Sequence, residues 1–407
     1  MNMKYKAYLC SFLLTFPILG KASAEADSLR QVQISRLQEQ VNWVNPEAIR
    51  AYLDDTKSSL GDKAPVLYQK LEELETLRPR VNRHLSEDTT RQTIAEAEKL
   101  LALKREIILA NPLLDVDKIL IARYRLGNKA RKAMGPSLGT SVANYNSLFS
   151  SRRKGYDAEI SQLSNLRGDI QSKTIYKPEA DVPISDIQLH WDADRLLFSS
   201  LNENRQWQIY EINTDGTGLH QKVVVDEPDL EFCDANYLPD GKVVATCNIG
   251  YNGVPCVHGD DVVANLVSYD PETKNIHRLT FDQDGNWAPI VIPNGRLMYT
   301  RWEYTDLTHY FSRIVMHMNP DGTENKALYG SGSYFPNSTF DMKPLSKYNS
   351  RFVGIISGHH GTARSGRLII FDPAKSRKEE KGMVQELPFS KRPIVPIIKD
   401  ELVEGVW

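Results

Sequence analysis

Trp287-Ala288-Pro289-Ile290-Val291-Ile292-Pro293-Asn294-Gly295-Arg296-Leu297-Met298-Tyr299-Thr300 opens the stretch that decides the fold, which runs on to Tyr329. It reads as four short strands, over 288–292, 296–300, 313–318 and 326–329. Pro293-Asn294-Gly295 joins the first pair, a long polar and aromatic loop over 302–311 the second, and Asn319-Pro320-Asp321-Gly322 the third. Short apolar runs rich in β-branched and aromatic residues, punctuated this way, are strand-and-turn signals. Asn and Gly accept positive φ, and Pro presets the first turn position. A meander of four strands cannot cover both its faces, so it needs neighbours.

The neighbours are in the same chain. Leu238-Pro239-Asp240-Gly241 matches Ile292-Pro293-Asn294-Gly295 across 54 residues, and Trp191-Asp192-Ala193-Asp194 holds the same place upstream. The second turn recurs as Asn213-Thr214-Asp215-Gly216, Asp270-Pro271-Glu272-Thr273 and Asp372-Pro373-Ala374-Lys375. Repeats of about 45–55 residues with four strands each are the signature of a β-propeller. Four units are expected over 183–225, 230–280, 287–330 and 336–390. Strand signal at 118–124, 159–163 and 173–176 adds a fifth unit of three strands. The expected fold class is mainly β: a propeller domain over 113–407, its ring incomplete or open, with further blades expected past Trp407.

Residues 1–24 read as a secretory signal, with Lys4 and Lys6 ahead of an apolar run and Ala22-Ser23-Ala24 as the cleavage site. The run is too short to span a bilayer and Pro17 interrupts it, so no stable membrane span is expected after cleavage, and the mature chain is placed in the periplasm or outside the cell. Losing Lys4, Lys6 and Lys21 and no acid takes the formal charge from -2 to -5. That balance argues against a nucleic-acid partner. Residues 25–112 read as a helical region. Asn45-Pro46 supplies an N-cap and a Pro at the first helical position, Gly61 stands past the end, and Ile94, Ala97, Leu101 and Ile108 follow a 3.6 period. This region packs as a cap or docks a protein partner.

In an up-and-down meander the loop between the second and third strands falls on one face in every repeat. Here those loops are the long ones, and they hold Cys256, His258, Asp260, Asp261, Glu303, Asp306, His309, His359, His360 and Arg364. His258, His309, His359 and His360 are the candidate metal ligands, since imidazole with carboxylates suits a first-row divalent ion. Adjacent residues on an extended segment point opposite ways, so at most one of His359 and His360 faces a given site. Trp302, Glu303, Tyr304, Asp306 and Arg364 are the candidate ligand-binding residues. Each also has a plainer role: Asp260 and Asp261 suit a turn cap, and Glu303 and Asp306 suit loop amides. Cys247 and Cys256 flank one loop of an exported chain, so a disulfide is expected there, leaving Cys233 apart. No CxxCH occurs, which rules out covalent c-type haem.

Tyr237-Leu238-Pro239-Asp240-Gly241, Gly253-Val254-Pro255-Cys256, Leu279-Thr280-Phe281-Asp282-Gln283-Asp284, Tyr299-Thr300-Arg301-Trp302-Glu303-Tyr304-Thr305-Asp306, His309-Tyr310-Phe311-Ser312-Arg313, Ser357-Gly358-His359-His360-Gly361 and Phe371-Asp372-Pro373-Ala374-Lys375 together resemble the propeller of the hydrazine synthase alpha subunit and its relatives. The resemblance covers roughly 105–407 and implies a propeller of the TolB-like or WD40-like kind. It does not carry over haem binding or hydrazine synthesis, because every CxxCH is missing. Three functions are compatible with it. One is a haem-free relative that binds a ligand or a divalent metal on one propeller face. The others are a TolB-like scaffold docking a protein through that face, and a metal-assisted polysaccharide lyase or hydrolase. Fold likeness alone does not choose among them.

Overall fold

The structure is a computed structural model, and it describes residues 31–87, 90–126, 147–254, 258–302, 313–333, 335–336, 338–345, 350–357, 364 and 366–387. The chain divides into two compact units, residues 1–118 with 165–170 in one and the remainder in the other. The expected signal, residues 1–24, lies outside the described residues. None of the described helices is long and apolar enough to cross a membrane.

In the first unit a helical run over 31–42 precedes α1 (Pro46–Leu60), α2 (Ala64–Glu87) and α3 (Arg91–Leu109). α1 begins where its signals stand. Asn45 Oδ1 accepts the Ala48 amide at 3.1 Å, Pro46 takes the first turn, and Gly61 ends the helix at φ 52. Leu53, Leu71, Leu74, Val81, Leu100 and Ile107 are fully buried in one shared core. The buried stripe of α3 is Thr93, Ala97, Leu100, Leu103 and Ile107, whereas Ile94, Leu101 and Ile108 are only half-buried. Two apolar rows run side by side on this helix, and periodicity cannot say which one meets the neighbours.

The second unit is built of antiparallel sheets. β1 (Lys118–Leu126), β2 (Tyr156–Ser164) and β3 (Gln171–Tyr176) form a sheet of three strands. Four meanders follow in chain order. The first is β4 (Ile184–Leu189), β5 (Arg195–Leu201), β6 (Trp207–Asn213) and β7 (His220–Gln221). The second is β8 (Phe232–Tyr237), β9 (Val243–Cys247), β10 (Asn265–Tyr269) and β11 (Ile276–Arg278). The third is β12 (Asn286–Val291), β13 (Leu297–Trp302), β14 (Arg313–Met318) and β15 (Lys326–Tyr329). The fourth is β16 (Ser338–Pro344), β17 (Phe352–Ser357), β18 (Arg367–Phe371) and β19 (Met383–Leu387). One parallel bridge, Arg313 to Ser338, links the last two. The first strands of successive meanders, β4, β8, β12 and β16, pack beside one another and form the inner strands. The expectation of a mainly β chain with a small helical region ahead of it holds. Among the described residues the series of sheets is not closed into a ring.

The turns hold by the chemistry their residues promised. Gly241 and Gly295 sit at φ 85 and φ 80, and Ala193 occupies the matching place at φ 57. In two meanders the outer turn has the same side-chain lock. Thr217 donates both its amide and its hydroxyl to Asp215 Oδ1, and Thr323 does the same to Asp321 Oδ1. Repetition at this level explains why four turns could be aligned by eye.

In the first three meanders the middle strands are buried on both faces. Leu196 and Phe198 of β5 join the core toward β2, while Leu197 between them joins the core toward β8 and β9. Val243 and Ala245 of β9 share that second core, and Val244 faces the third meander with Leu297 and Tyr299. Met298 turns the other way, into a core with Phe352, Ile356, Ile369 and Phe371. Period-two side chains with both faces covered read as continuous apolar runs. Phe371 sits between Phe352, stacked at 5.0 Å, and Tyr329, edge-on at 4.9 Å. Phe371→Ala is expected to cost about 3–5 kcal/mol, the usual loss for a buried ring. Urea denaturation measures it, and a loss below about 1 kcal/mol would mean that the third and fourth meanders do not share a core.

Candidate functional site at the inner strands

Each inner strand has the same irregularity. Register slips between Ser185 and Gln188 in β4, Cys233 and Asn236 in β8, Trp287 and Ile290 in β12, and Phe340 and Lys343 in β16. Inside each slip stands one residue with left-handed backbone: Asp186 at φ 53, Asp234 at φ 53, Ala288 at φ 52 and Asp341 at φ 49. A bulge of this kind bends the strand and re-aims a side chain, and Asp enters this backbone region more readily than most residues. The four bulge residues line one cavity of about 140 Å³, together with Gln188, Ile290 and Lys343.

The bulges are tied to one another. Asp186 Oδ2 accepts the backbone amide of Asp234 at 3.2 Å, and Asp234 Oδ2 accepts that of Ala288 at 3.3 Å. Each carboxylate thus satisfies the equivalent amide of the next meander. Ser185 Oγ donates to Asp186 Oδ1 at 2.9 Å, and Thr246 Oγ1 reaches Asp234 Oδ2 at 3.4 Å. Burial, then the negative charge of Asp186, raises the Asp234 pKa to about 7, against the pull of the Arg364 guanidinium. A hydrogen bond between the two carboxyl groups acts in the same direction. A carboxyl that titrates near neutrality, as Asp234 does, is able both to give and to take a proton.

On β16, burial raises the Asp341 pKa, opposed chiefly by Arg364, and lowers that of the Lys343 ammonium, opposed chiefly by Asp341. Both side chains remain accessible to solvent although protein surrounds them, because they face the cavity. Their desolvation is therefore partial. Arg364 lies with its guanidinium carbon 4.8 Å from the Trp287 ring and 4.9 Å from the Phe340 ring, the geometry of a cation held over aromatic faces.

Of the residues expected from the loops, Arg364 thus belongs to this cluster. Trp302 is 1% exposed, packed against Trp287 at 6.4 Å with Arg313 over its other neighbours' side at 4.6 Å from the ring, so it serves the core where a concave lining was expected. Asp261 is buried and accepts from the Ser147 amide, the Ser150 hydroxyl and its neighbour Val262. That is a loop-anchoring role. His258 is exposed at φ 57, with Asp260 exposed beside it. Glu303, Tyr304, Asp306, His309, His359 and His360 lie outside the described residues. Cys233 and Cys247 are buried thiols, and Cys256, with the bridge expected to it, lies outside the described residues. The spacing Gly135-Pro136-Ser137-Leu138-Gly139 is that of a nucleophile elbow, and it lies outside the described residues.

His190 stands with Asp192 and Asp194 in a group whose ligand-type atoms lie within 4.8 Å of one another. Arg195 occupies it: its guanidinium lies 2.7 Å from His190 Nε2 and 2.9 Å from Asp194. The inner-strand residues Asp186, Asp234, Asp341 and Lys343 were not singled out by sequence. Their signal was present, since Asp186, Asp234 and Ala288 each stand six residues before the aligned turn positions Asp192, Asp240 and Asn294.

No protein-family model matches the chain, and no curated protein matches it. Its structure is similar to the hydrazine synthase of Kuenenia stuttgartiensis at 14% identity and a TM-score of 0.49, over 66% of this chain and 38% of that one. It is similar to TolB from Acinetobacter baumannii at 15% identity and a TM-score of 0.40, over 64% and 54% of the two chains. It is also similar to an oligogalacturonate lyase from Vibrio parahaemolyticus at 12% identity and a TM-score of 0.37, over 67% and 74%. The chain therefore spans well under half of the hydrazine synthase chain.

Asp234→Asn keeps an acceptor for the Ala288 amide and removes the ionisation. A carboxyl whose pKa is raised on folding holds its proton after the unfolded chain has lost it. Its stabilising contribution is full below about pH 3.8 and is lost as pH rises through about 7. The stability of the wild type relative to Asp234→Asn is expected to fall across that window by up to about 1.4 kcal/mol per pH unit and to level off above it. Urea denaturation of both proteins at acid, near-neutral and alkaline pH reads the difference, and a flat difference would place the titration elsewhere.

Proposed function

We propose that this chain is an exported propeller protein that binds a small polar ligand in the cavity between its inner strands. The observation that carries this reading is the lining of that cavity: carboxylates from β4, β8 and β16 and the Lys343 ammonium converge on about 140 Å³. Ion pairs that only hold strands together gain nothing from enclosing space, whereas binding sites are concave and set a few polar groups at fixed places. Inner strands that bear charge toward one another cost desolvation, which a bound ligand of matching polarity offsets. Export rests on the reading of residues 1–24. The loop candidates stay in this proposal in the roles their residue types suggest: His258, His309, His359 and His360 as ligands of a divalent metal and Glu303 as a ligand-binding group.

The test is thermal unfolding of the mature chain with a panel of small compounds: acetate, glycine, inorganic phosphate, methylammonium, and calcium and manganese ions. A ligand at one hundred times its Kd stabilises by about 2.7 kcal/mol, a readily seen rise in Tm. At least one compound is expected to raise the midpoint in the wild type and to lose that effect in Asp341→Asn and Lys343→Met. If no compound shifts the wild type, or if the variants respond equally, the cavity is not a binding site.

A further inference from the structure

Three of the four bulge residues are Asp, and the fourth is Ala288. The exception runs against local energetics. Left-handed backbone favours Asn and Asp over alanine, so Ala288 at φ 52 carries strain that an Asp would relieve in part. An Asp would also continue the tie between meanders, in which the carboxylates of Asp186 and Asp234 accept the next bulge amide at 3.2 and 3.3 Å. At residue 288 no side-chain carboxylate exists to reach the amide of Asp341. The place where a repeat breaks its own rule at a cost to the fold is where function is to be sought.

Resting on the ligand-binding reading above, we propose that the cavity receives a small monocarboxylate, which takes the position that a carboxylate at residue 288 would occupy. Ala288 itself lines the cavity. The partners for such a group are the Asp341 amide, the Lys343 ammonium on the same strand, and the Arg364 guanidinium, whose charge reaches both Asp234 and Asp341. Lys343 and Arg364 balance Asp341 and Asp186, and Asp234 keeps its proton toward neutrality, so the lining is close to neutral and takes a monoanion at less cost than a dianion. Size sets a second limit. At roughly 30 Å³ for each water-sized group, the cavity admits about four or five non-hydrogen atoms, and acetate has four.

Isothermal titration of the mature chain with acetate tests this, with inorganic phosphate and methylammonium as separate arms. The wild type is expected to bind acetate. Ala288→Asp fills the position with its own carboxylate and is expected to lose at least about tenfold in acetate affinity while its denaturation midpoint rises. Unchanged acetate binding in Ala288→Asp overturns the proposal. So does binding of phosphate or methylammonium without acetate, an outcome that leaves the cavity itself a binding site. Binding of none of the three by the wild type overturns this proposal, and the wider panel then decides the wider reading. Should Ala288→Asp fail to unfold cooperatively, Lys343→Met decides: loss of acetate binding there, in a protein that still unfolds cooperatively, supports the proposal, and retention sinks it.

Discussion

The middle strands of the first three meanders bury two faces, and the rest of the architecture follows from that. Leu196 and Phe198 look one way from β5 and Leu197 the other, so neither side of the sheet is spare for solvent. A sheet of four strands under this constraint needs a sheet on each side, and its neighbours need the same. The solution is a series of like units whose stabilising contacts are with the preceding and following unit. Inner strands are brought together as a by-product. Crowding there leaves little room for flat ladders, and each of the four departs from flatness at the same place.

That shared departure gives the unit its chemistry. A bulge leaves an amide without a partner in its own ladder, and Asp from the preceding meander supplies one. The carboxylates so used are buried and kept close together, and burial first, then the charge of Asp186, is why Asp234 holds a proton toward neutrality. The same arrangement is a structural tie and a charged lining. Ala288 separates the two roles, since it gives up the tie and keeps the place on the lining.

The fold was legible because its signals are local. Pro-Asn-Gly and Pro-Asp-Gly fix turns within four residues, and the apolar runs between them fix strands. The N-cap at Asn45 is equally local, and it stands as read. The site was harder to see. His258 and the loop residues drew attention by their chemistry, yet Asp234 sits in Cys233-Asp234-Ala235-Asn236, a strand segment with nothing unusual about it. Its role comes from a backbone slip that no residue type announces and from a partner 48 positions away in sequence, Asp186. Trp302 shows the converse: an indole beside a polar loop suggests a binding wall, but Trp287 of its own meander and Phe340 of the next make it core. Alignment of the turns did hold the clue, because it placed an alanine opposite two aspartates.

The bridging of bulges has a consequence for how the molecule opens. In an ordinary ladder an amide is released when its own strand frays. The amides of Asp234 and Ala288 are held by carboxylates of the preceding meander, so local fraying does not free them; the two sheets must first part. Hydrogen exchange at these two positions therefore reports the separation of neighbouring sheets, while amides one residue away report the breathing of single strands. Two clocks run within one strand, and the slower one keeps time for the whole stack.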